Sequence, residues 1–374
     1  MAGIQHLEAA AMAMTVRAPG RVNLMGEHTD YSGGLVLPAA IDRSVRLECD
    51  AGGDRILLTS DRFDDPVDVS ATGEDAPPSG WGRYVAAVAA ELDLLGRPGV
   101  GLSGKVTSDL PDGAGLSSSA ALEVGVALAL CAAADFALDP MGVARAAQRA
   151  EHRAVGVPSG IMDQAASLLG RADHAVLLDC GSLEHRLVPL PADLALLIVD
   201  SGVSRRLEDS GYGRRRAELE EALGVLGGAA PSAVGPDEAA ELAAAAGLGD
   251  VPSRRLRHVV TENARVRAVE AELTAPGGPD PGRLGRLFAE GHASLRDDFE
   301  VSIPELDLLV ELAVDSDAVA ARMTGGGFGG AIVALVERER VAEVGAAVTA
   351  AYEGRTGRTA AVHVCRAADG ACLT

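Results

Sequence analysis

Pro111-Asp112-Gly113-Ala114-Gly115-Leu116-Ser117-Ser118-Ser119-Ala120-Ala121 is the stretch on which the fold turns. Val100, Leu102 and Val106 lead into it as a strand, and an Ala/Leu-rich helix follows from near Ser117 to about Ala134. Glycines let a backbone approach a bulky anion, and a helix start presents unpaired N–H groups at the positive end of its dipole. Three serines add hydroxyls for a phosphate or for a metal-bound oxygen. A glycine turn with serine helix caps fits the same residues, so the segment alone leaves both readings open.

Outward from this segment, short strands fall at Leu35 to Leu37, Val45 to Leu47 and Arg55 to Thr59, after β-formers in Val16 to Glu27 broken by Pro19-Gly20. Trp81 to Leu95 has helical apolar spacing through Tyr84, Val88, Leu92 and Leu95. Asp139-Pro140 is a cap followed by proline at the first helical position, and Gly156 closes that helix. A short helix begins near Gly160, and Ala175 to Leu178 and Leu194 to Val199 read as buried strands. From about 205 the chain is mostly helical, interrupted at Gly227 to Gly235 and Ala275 to Gly282. Strands return at Val319 to Met323, Ala331 to Val336 and Ala360 to Val364. Without steady strand–helix alternation the class is α+β, in two domains: a tail over 1–14, one half over 15–190 and the other over 191–374.

Composition removes several functions. The 374 residues suffice for a real core, with 48% hydrophobic and 23% charged residues. A net charge of −21 repels a phosphate backbone, and 3% aromatics leave little for base stacking, so nucleic acid is not an expected partner. Lys105 is the only lysine and is followed by Val106, which excludes a Walker-type loop. Five scattered cysteines without a C-x-x-C pair read as reduced thiols. No signal peptide is visible, and the longest apolar run, Val124 to Ala134, is too short to span a bilayer. The expected setting is cytoplasmic, with no membrane partner and a monomeric chain.

Three further segments carry chemistry. Gly20-Arg21-Val22-Asn23-Leu24-Met25-Gly26-Glu27-His28-Thr29-Asp30-Tyr31 crowds Arg, Glu, His, Asp and Tyr together. Such a cluster either stays solvated or binds something polar, and carboxylates with an imidazole suit hydroxyl recognition. Its spacing matches no standard zinc pattern. Glu151 and Asp163 lie twelve residues apart, Asp163 in the first turn of its helix, where the dipole favours the ionised form and where a simple cap also fits. An ionised Asp beside an Arg can orient a hydroxyl and take its proton. Gly325-Gly326-Gly327-Phe328-Gly329-Gly330 reads either as a tight turn between strands or as backbone packed on the first glycine loop. It does not fit a dinucleotide fingerprint, because no acidic residue follows at the expected offset.

Together, in this order, the segments make the chain resemble the galactokinases of the GHMP small-molecule kinase superfamily, from about residue 15 to the end. Gly20 to Asp30 is similar to the galactokinase signature, Gly113 to Ala121 to the superfamily ATP-binding motif, and Gly325 to Ala331 to its third motif. The resemblance implies a two-domain GHMP kinase fold, with an N-terminal half like ribosomal protein S5 domain 2 and a ferredoxin-like C-terminal half. It implies ATP-dependent phosphorylation of the anomeric hydroxyl of α-D-galactose to galactose 1-phosphate, the entry step of galactose catabolism by the Leloir pathway. By position, Asp163 corresponds to the catalytic base and Arg21 to the cation at the transition state. Glu27, His28, Asp30 and Tyr212 correspond to sugar ligands, and Thr29, lying between them in the same loop, is expected to bind substrate with them. Gly113, Ala114, Gly115, Leu116, Ser117, Ser118 and Ser119 correspond to the phosphate loop, and Ser119 with Glu151 to the Mg²⁺ ligands.

Two departures stand out: Ser159 where relatives commonly carry Cys, and Met25 where Ile is more usual. Neither is expected to carry chemistry, although Ser159 bears on a contact near the sugar. A kinase for N-acetylgalactosamine or arabinose, or a non-catalytic galactose and ATP sensor of the same fold, are the competing readings. The intact Ser117-Ser118-Ser119-Ala120-Ala121 run argues against the sensor.

Overall fold

A computed structural model of the chain describes residues 13–111, 113–203 and 211–374. Most of the expected tail, together with Asp112, Asp209 and Ser210, lies outside the described residues. Ala13 and Met14, assigned to that tail, instead open the first strand, opposite Asp50 and Cys49.

The chain runs through strands β1 (Ala13–Asn23), β2 (Leu35–Val36), β3 (Pro38–Ala51), β4 (Arg55–Ser60) and β5 (Val67–Ser70). Helix α1 (Gly82–Leu94) and β6 (Leu102–Ser108) precede α2 (Ser118–Ala133), α3 (Pro140–Val155) and α4 (Met162–Leu169). Strands β7 (His174–Asp179), β8 (His185–Pro189) and β9 (Leu194–Asp200) lead to α5 (Tyr212–Leu223), α6 (Pro236–Ala245), α7 (Asp250–Leu273), α8 (Pro281–Asp297) and α9 (Pro304–Asp315). Last come β10 (Ala320–Thr324), β11 (Ala331–Glu337), α10 (Val341–Thr356), β12 (Ala361–Cys365) and β13 (Cys372–Leu373).

The caps behave as their chemistry requires. Asp139 accepts from the Gly142 N–H at the start of α3, and left-handed Gly156 (φ 74°) closes it. The β3 strand is longer than its apolar core suggests. Val45, Leu47 and Cys49 are buried while Arg46, Glu48 and Asp50 between them face outward, the period-two pattern of a one-sided strand.

The first half is a six-stranded sheet ordered β13-β1-β3-β6-β4-β5, on which α2 and α4 pack, with β2-β7-β8 as a smaller sheet. The β1–β3 ladder breaks at Gly20. Pro19 faces Ser44 and Arg21 faces Ala40, so the register shifts just before Arg21. The second half is a four-stranded antiparallel sheet ordered β10-β11-β9-β12. With helices between β9 and β10 and between β11 and β12, that order is ferredoxin-like. The end of the chain corrects the expected division: β13 pairs with β1, and Ala367 bridges Ile41, so the last residues return to the first sheet. Helix α7 crosses the other way and packs against β2 and β8. Cores lie under both sheets, the first dominated by Ala, Val and Leu. Among the described residues no helix is long and apolar enough to cross a membrane.

Candidate functional site

Arg21 lines a cleft to which the second half contributes Tyr212, Gly325 and Gly326. Gly20 lets its strand come close to the loop before α2: a Cβ there would lie 2.4 Å from Leu110 Cδ2 and 2.5 Å from the Leu116 carbonyl oxygen. The Arg21 backbone N–H donates to that Leu116 oxygen at 3.1 Å. Its Nη1 donates to the Gly115 carbonyl at 2.6 Å. Nε and Nη2 grip Asp163 Oδ1 and Oδ2 at 2.7 and 2.8 Å, a two-point ion pair between residues 142 positions apart. Asp163 projects from the first turn of α4.

The Ser117 hydroxyl donates to Asp163 Oδ2. This has a consequence for α2. Ser117 is its N-cap residue, held at left-handed φ 59°, and its side chain makes no capping bond. The hydroxyl that ordinarily satisfies a first-turn N–H is turned to Asp163, so those N–H groups are left for a ligand. Gly113 and Gly115, both at positive φ, form the turn before it. Ala114 and Leu116 bury their side chains in the core, so they shape the loop through backbone alone. Ser118 is exposed and does not line the cleft.

Beside this loop Ser119 Oγ donates to Glu151 Oε1 at 3.2 Å. Ser159 Oγ donates to Glu151 Oε2 at 2.7 Å, so Ser159, expected to carry no chemistry, holds the carboxylate from the other side. The Gln164 amide donates to the same Oε2 at 3.0 Å and to Glu123 Oε2 at 3.1 Å. Burial pushes the Glu123 carboxyl well above its ordinary range, and the Glu151 charge adds to that. Among the described residues no group of three or more His, Cys, Asp or Glu is placed to hold a metal ion. One carboxylate and one hydroxyl of hard oxygen character do fit Mg²⁺ that takes its remaining ligands from phosphates and water.

The loop after β1 lines the same cleft, where Glu27, His28, Asp30 and Tyr31 join Arg21, Ser117, Ser119, Glu151, Asp163 and Tyr212. Burial raises the Asp30 carboxyl to about 7, helped by the Asp163 charge and opposed by Arg21. Burial likewise raises Glu27 to about 7, against the pull of Arg322. Tyr31 OH lies 3.0 Å from His28 Nδ1, and the two tyrosine rings of residues 31 and 212 meet edge to face at 5.8 Å. Thr29 departs from the expectation. It is fully buried, its hydroxyl faces the Gly26 and Leu35 carbonyls at 2.8 and 2.7 Å, and it does not line the cleft. It braces the loop instead of facing a ligand.

The third glycine run joins the antiparallel pair β10 and β11, and Gly325 and Gly326 reach the cleft. A Cβ on Gly330 would lie 3.9 Å from the Gly113 carbonyl oxygen. The run is thus both a strand connection and a neighbour of the first loop. Helix α7 supplies polar residues that sequence reading passed over. Glu262 Oε1 accepts the Gly26 N–H at 2.9 Å, Asn263 Oδ1 accepts the Leu35 N–H at 2.6 Å, and His258 Nε2 lies 3.1 Å from the Glu27 carbonyl. The signal was present: Arg255, His258, Glu262 and Arg265 recur at helical spacing beside the apolar Val259 and Val266. Tyr31, Tyr84, Ser159 and Gly160 also line the cleft without having been assigned.

Three family profiles match this chain: the GHMP kinases N terminal domain over residues 83–171, the galactokinase galactose-binding signature over 5–50, and the GHMP kinases C terminal over 268–354. A galactokinase of Roseiflexus sp. (strain RS-1) is 42% identical over 361 residues, covering 95% of this chain and 91% of that one. The crystal structure of Lactococcus lactis galactokinase complexed with galactose superposes with a TM-score of 0.89 at 31% identity, covering 96% of this chain and 95% of that one. Mevalonate kinase from Methanococcus jannaschii, at 17% identity and a TM-score of 0.66 over 97% of this chain and all of its own (100%), shares the fold.

Proposed function

The chain belongs to the galactokinase family of GHMP kinases, and from that premise we propose how its cleft carries out the ATP-dependent phosphorylation of galactose. The observation that carries the reading is the contact of Asp163 with both Arg21 and Ser117 at the open start of α2. It puts a base, a cation and a phosphate-binding helix end within one hydrogen-bonded unit.

Galactose is held by the Glu27, His28, Asp30 and Tyr212 wall, with its anomeric hydroxyl toward Asp163. The ATP phosphates rest on the loop 113–119, whose N–H groups and helix dipole stabilise their charge. The anomeric oxygen attacks the γ-phosphorus, the bond from phosphorus to the β,γ-bridging oxygen breaks, and ADP leaves with that electron pair. Asp163 takes the proton of the attacking hydroxyl. Arg21 engages both carboxylate oxygens and so fixes their orientation toward the attacking hydroxyl, and a loose transition state needs that proton drawn off only late. Arg21 orients Asp163 and carries its own positive charge beside the transferring group. Three of its side-chain N–H groups are engaged by Asp163 and Gly115, and the guanidinium's other two can face the transferring group. Ser119 and Glu151 would hold Mg²⁺, which when bound neutralises phosphate charge. Most of these groups come from the first half of the chain, and Tyr212, Gly325 and Gly326 line the cleft from the second.

The test is ADP release measured across a panel of sugars, with and without magnesium. Galactose is expected to lead N-acetylgalactosamine and arabinose by at least about tenfold in kcat/KM, a margin of about 1.4 kcal/mol. Binding of galactose and ATP without ADP release would contradict the catalytic reading, and a tenfold preference for another sugar would contradict the substrate.

A further inference from the structure

Arg322 lies on β10, outside every motif assigned to the reaction, and is fully buried. Its Nη2 sits 2.6 Å from Glu27 Oε2 and 2.7 Å from Glu262 Oε1, and its Nη1 touches Met25 Sδ. Glu262 is held in turn: Oε2 accepts from Arg265 Nε at 2.8 Å, and Oε1 accepts the Gly26 N–H. Two residues beyond Arg322, the Thr324 hydroxyl donates to the Asn23 carbonyl at 3.0 Å and accepts the Asn23 N–H at 3.1 Å. The end of β10 therefore grips the chain at residues 23, 25 and 27, immediately before the third glycine run. Space for the guanidinium depends on Gly291, where a Cβ would lie 2.6 Å from Nη1.

Burying a guanidinium between carboxylates adds little net stability, and an apolar side chain of similar volume commonly packs as well. What such a side chain could not do is fix the Glu27 carboxylate. Glu27 is 1% exposed yet lines the cleft, and Arg322 is the cation against it. We propose that Arg322 is a positioning residue for the sugar: it anchors the Glu27 carboxylate, with Glu262 as counter-anchor, and so joins the sugar loop to the third glycine run as one binding edge. The inference deepens the galactokinase reading and rests on it. It also accounts for Met25, whose thioether lies against the same guanidinium.

The experiment is calorimetric titration of galactose, and separately of ATP, into wild type, Arg322→Met, Glu27→Gln and the double variant, each checked for native circular dichroism. Galactose Kd is expected to rise about tenfold or more in either single variant, the scale of a charged hydrogen bond lost. The double variant is expected to be no weaker than the weaker single, because both changes remove one interaction. ATP Kd is expected to stay within about twofold, and Arg322→Lys to recover part of the galactose affinity. Wild-type galactose affinity in folded Arg322→Met, full additivity in the double variant, or equal weakening of ATP would each overturn the proposal. If Arg322→Met does not fold, Glu262→Gln carries the test, since Gln still accepts from Gly26. A galactose Kd raised about threefold or more, and non-additive with Glu27→Gln, supports the anchor, and an unchanged Kd overturns it. Wild type that fails to bind galactose at all would instead remove the substrate reading, and the inference with it.

Discussion

Gly160→Ala is a one-methyl probe of the sugar wall. Gly160 precedes α4 and has no left-handed φ, so alanine meets no backbone objection there. Space is the objection. The new Cβ would lie 1.8 Å from Asp30 Oδ2, 2.0 Å from its Cγ and 2.7 Å from its Cβ. Ordinary contact begins near 3.4 Å, so the carboxylate must retreat by well over about 1 Å. Asp30 is short and lies near enough to Arg21 to feel its charge and to Tyr212 to act on its hydroxyl, so retreat takes it out of register with a bound sugar. Losing one hydrogen bond to a charged group removes about 1.5–3 kcal/mol, which is roughly 12- to 150-fold in galactose kcat/KM. ATP KM should move by less than about threefold, because the loop 113–119 is untouched. Steady-state kinetics with each substrate varied, plus a melting curve to confirm folding, reads the effect. A folded variant with galactose kcat/KM within about twofold of wild type would refute the assignment of Asp30 to the sugar.

Glu151→Gln keeps the bond from Ser119 but removes the charge, so the magnesium needed for half-maximal ADP release should rise about tenfold or more, with Mn²⁺ binding to the ATP complex weakened in parallel. Unchanged metal dependence would remove Glu151 from that role. The pH dependence of stability follows from Asp30. Its carboxyl goes from the ordinary 3.8 to about 7 on folding, so the folded state holds the proton more tightly. That stabilisation is complete below the unfolded value and is lost as pH rises toward 7. The ligand-free wild type should therefore lose stability relative to Asp30→Asn between pH 4 and 7.5, by up to a few kcal/mol on the order of the shift. Parallel denaturation curves at all pH values would contradict it.

How far the sequence was legible depended on whether a signal was local. The caps of α3 are written in Asp139, Pro140 and Gly156, and the apolar strands β7, β9 and β11 announce themselves by composition. Strand β5 does carry a local signal, the period-two Val67-Asp68-Val69-Ser70, only four residues long and passed over, whereas β8, with His185, Arg186 and Leu187 exposed, leans on β7 for its pairing. No local feature marks Cys372-Leu373 as the outer strand of the first sheet. Within the cleft, residue types raised hydroxyl recognition and phosphate binding but left caps and solvated turns open, and family resemblance supplied the roles. Thr29 shows its limit: sharing the loop did not mean facing the cleft. Arg322 was illegible because a charge in sequence reads as solvent-facing, and only Glu262, 60 positions away, makes it a buried anchor.

The most direct test of the mechanism is single-turnover phosphoryl transfer by Asp163→Asn with saturating galactose, ATP and magnesium. Asn keeps the shape against Arg21 and Ser117 but can neither accept the proton nor carry the charge. The proposed mechanism predicts a rate lower by about a hundredfold or more, with galactose Kd changed only a few-fold. A folded Asp163→Asn enzyme turning over at close to the wild-type rate would contradict it.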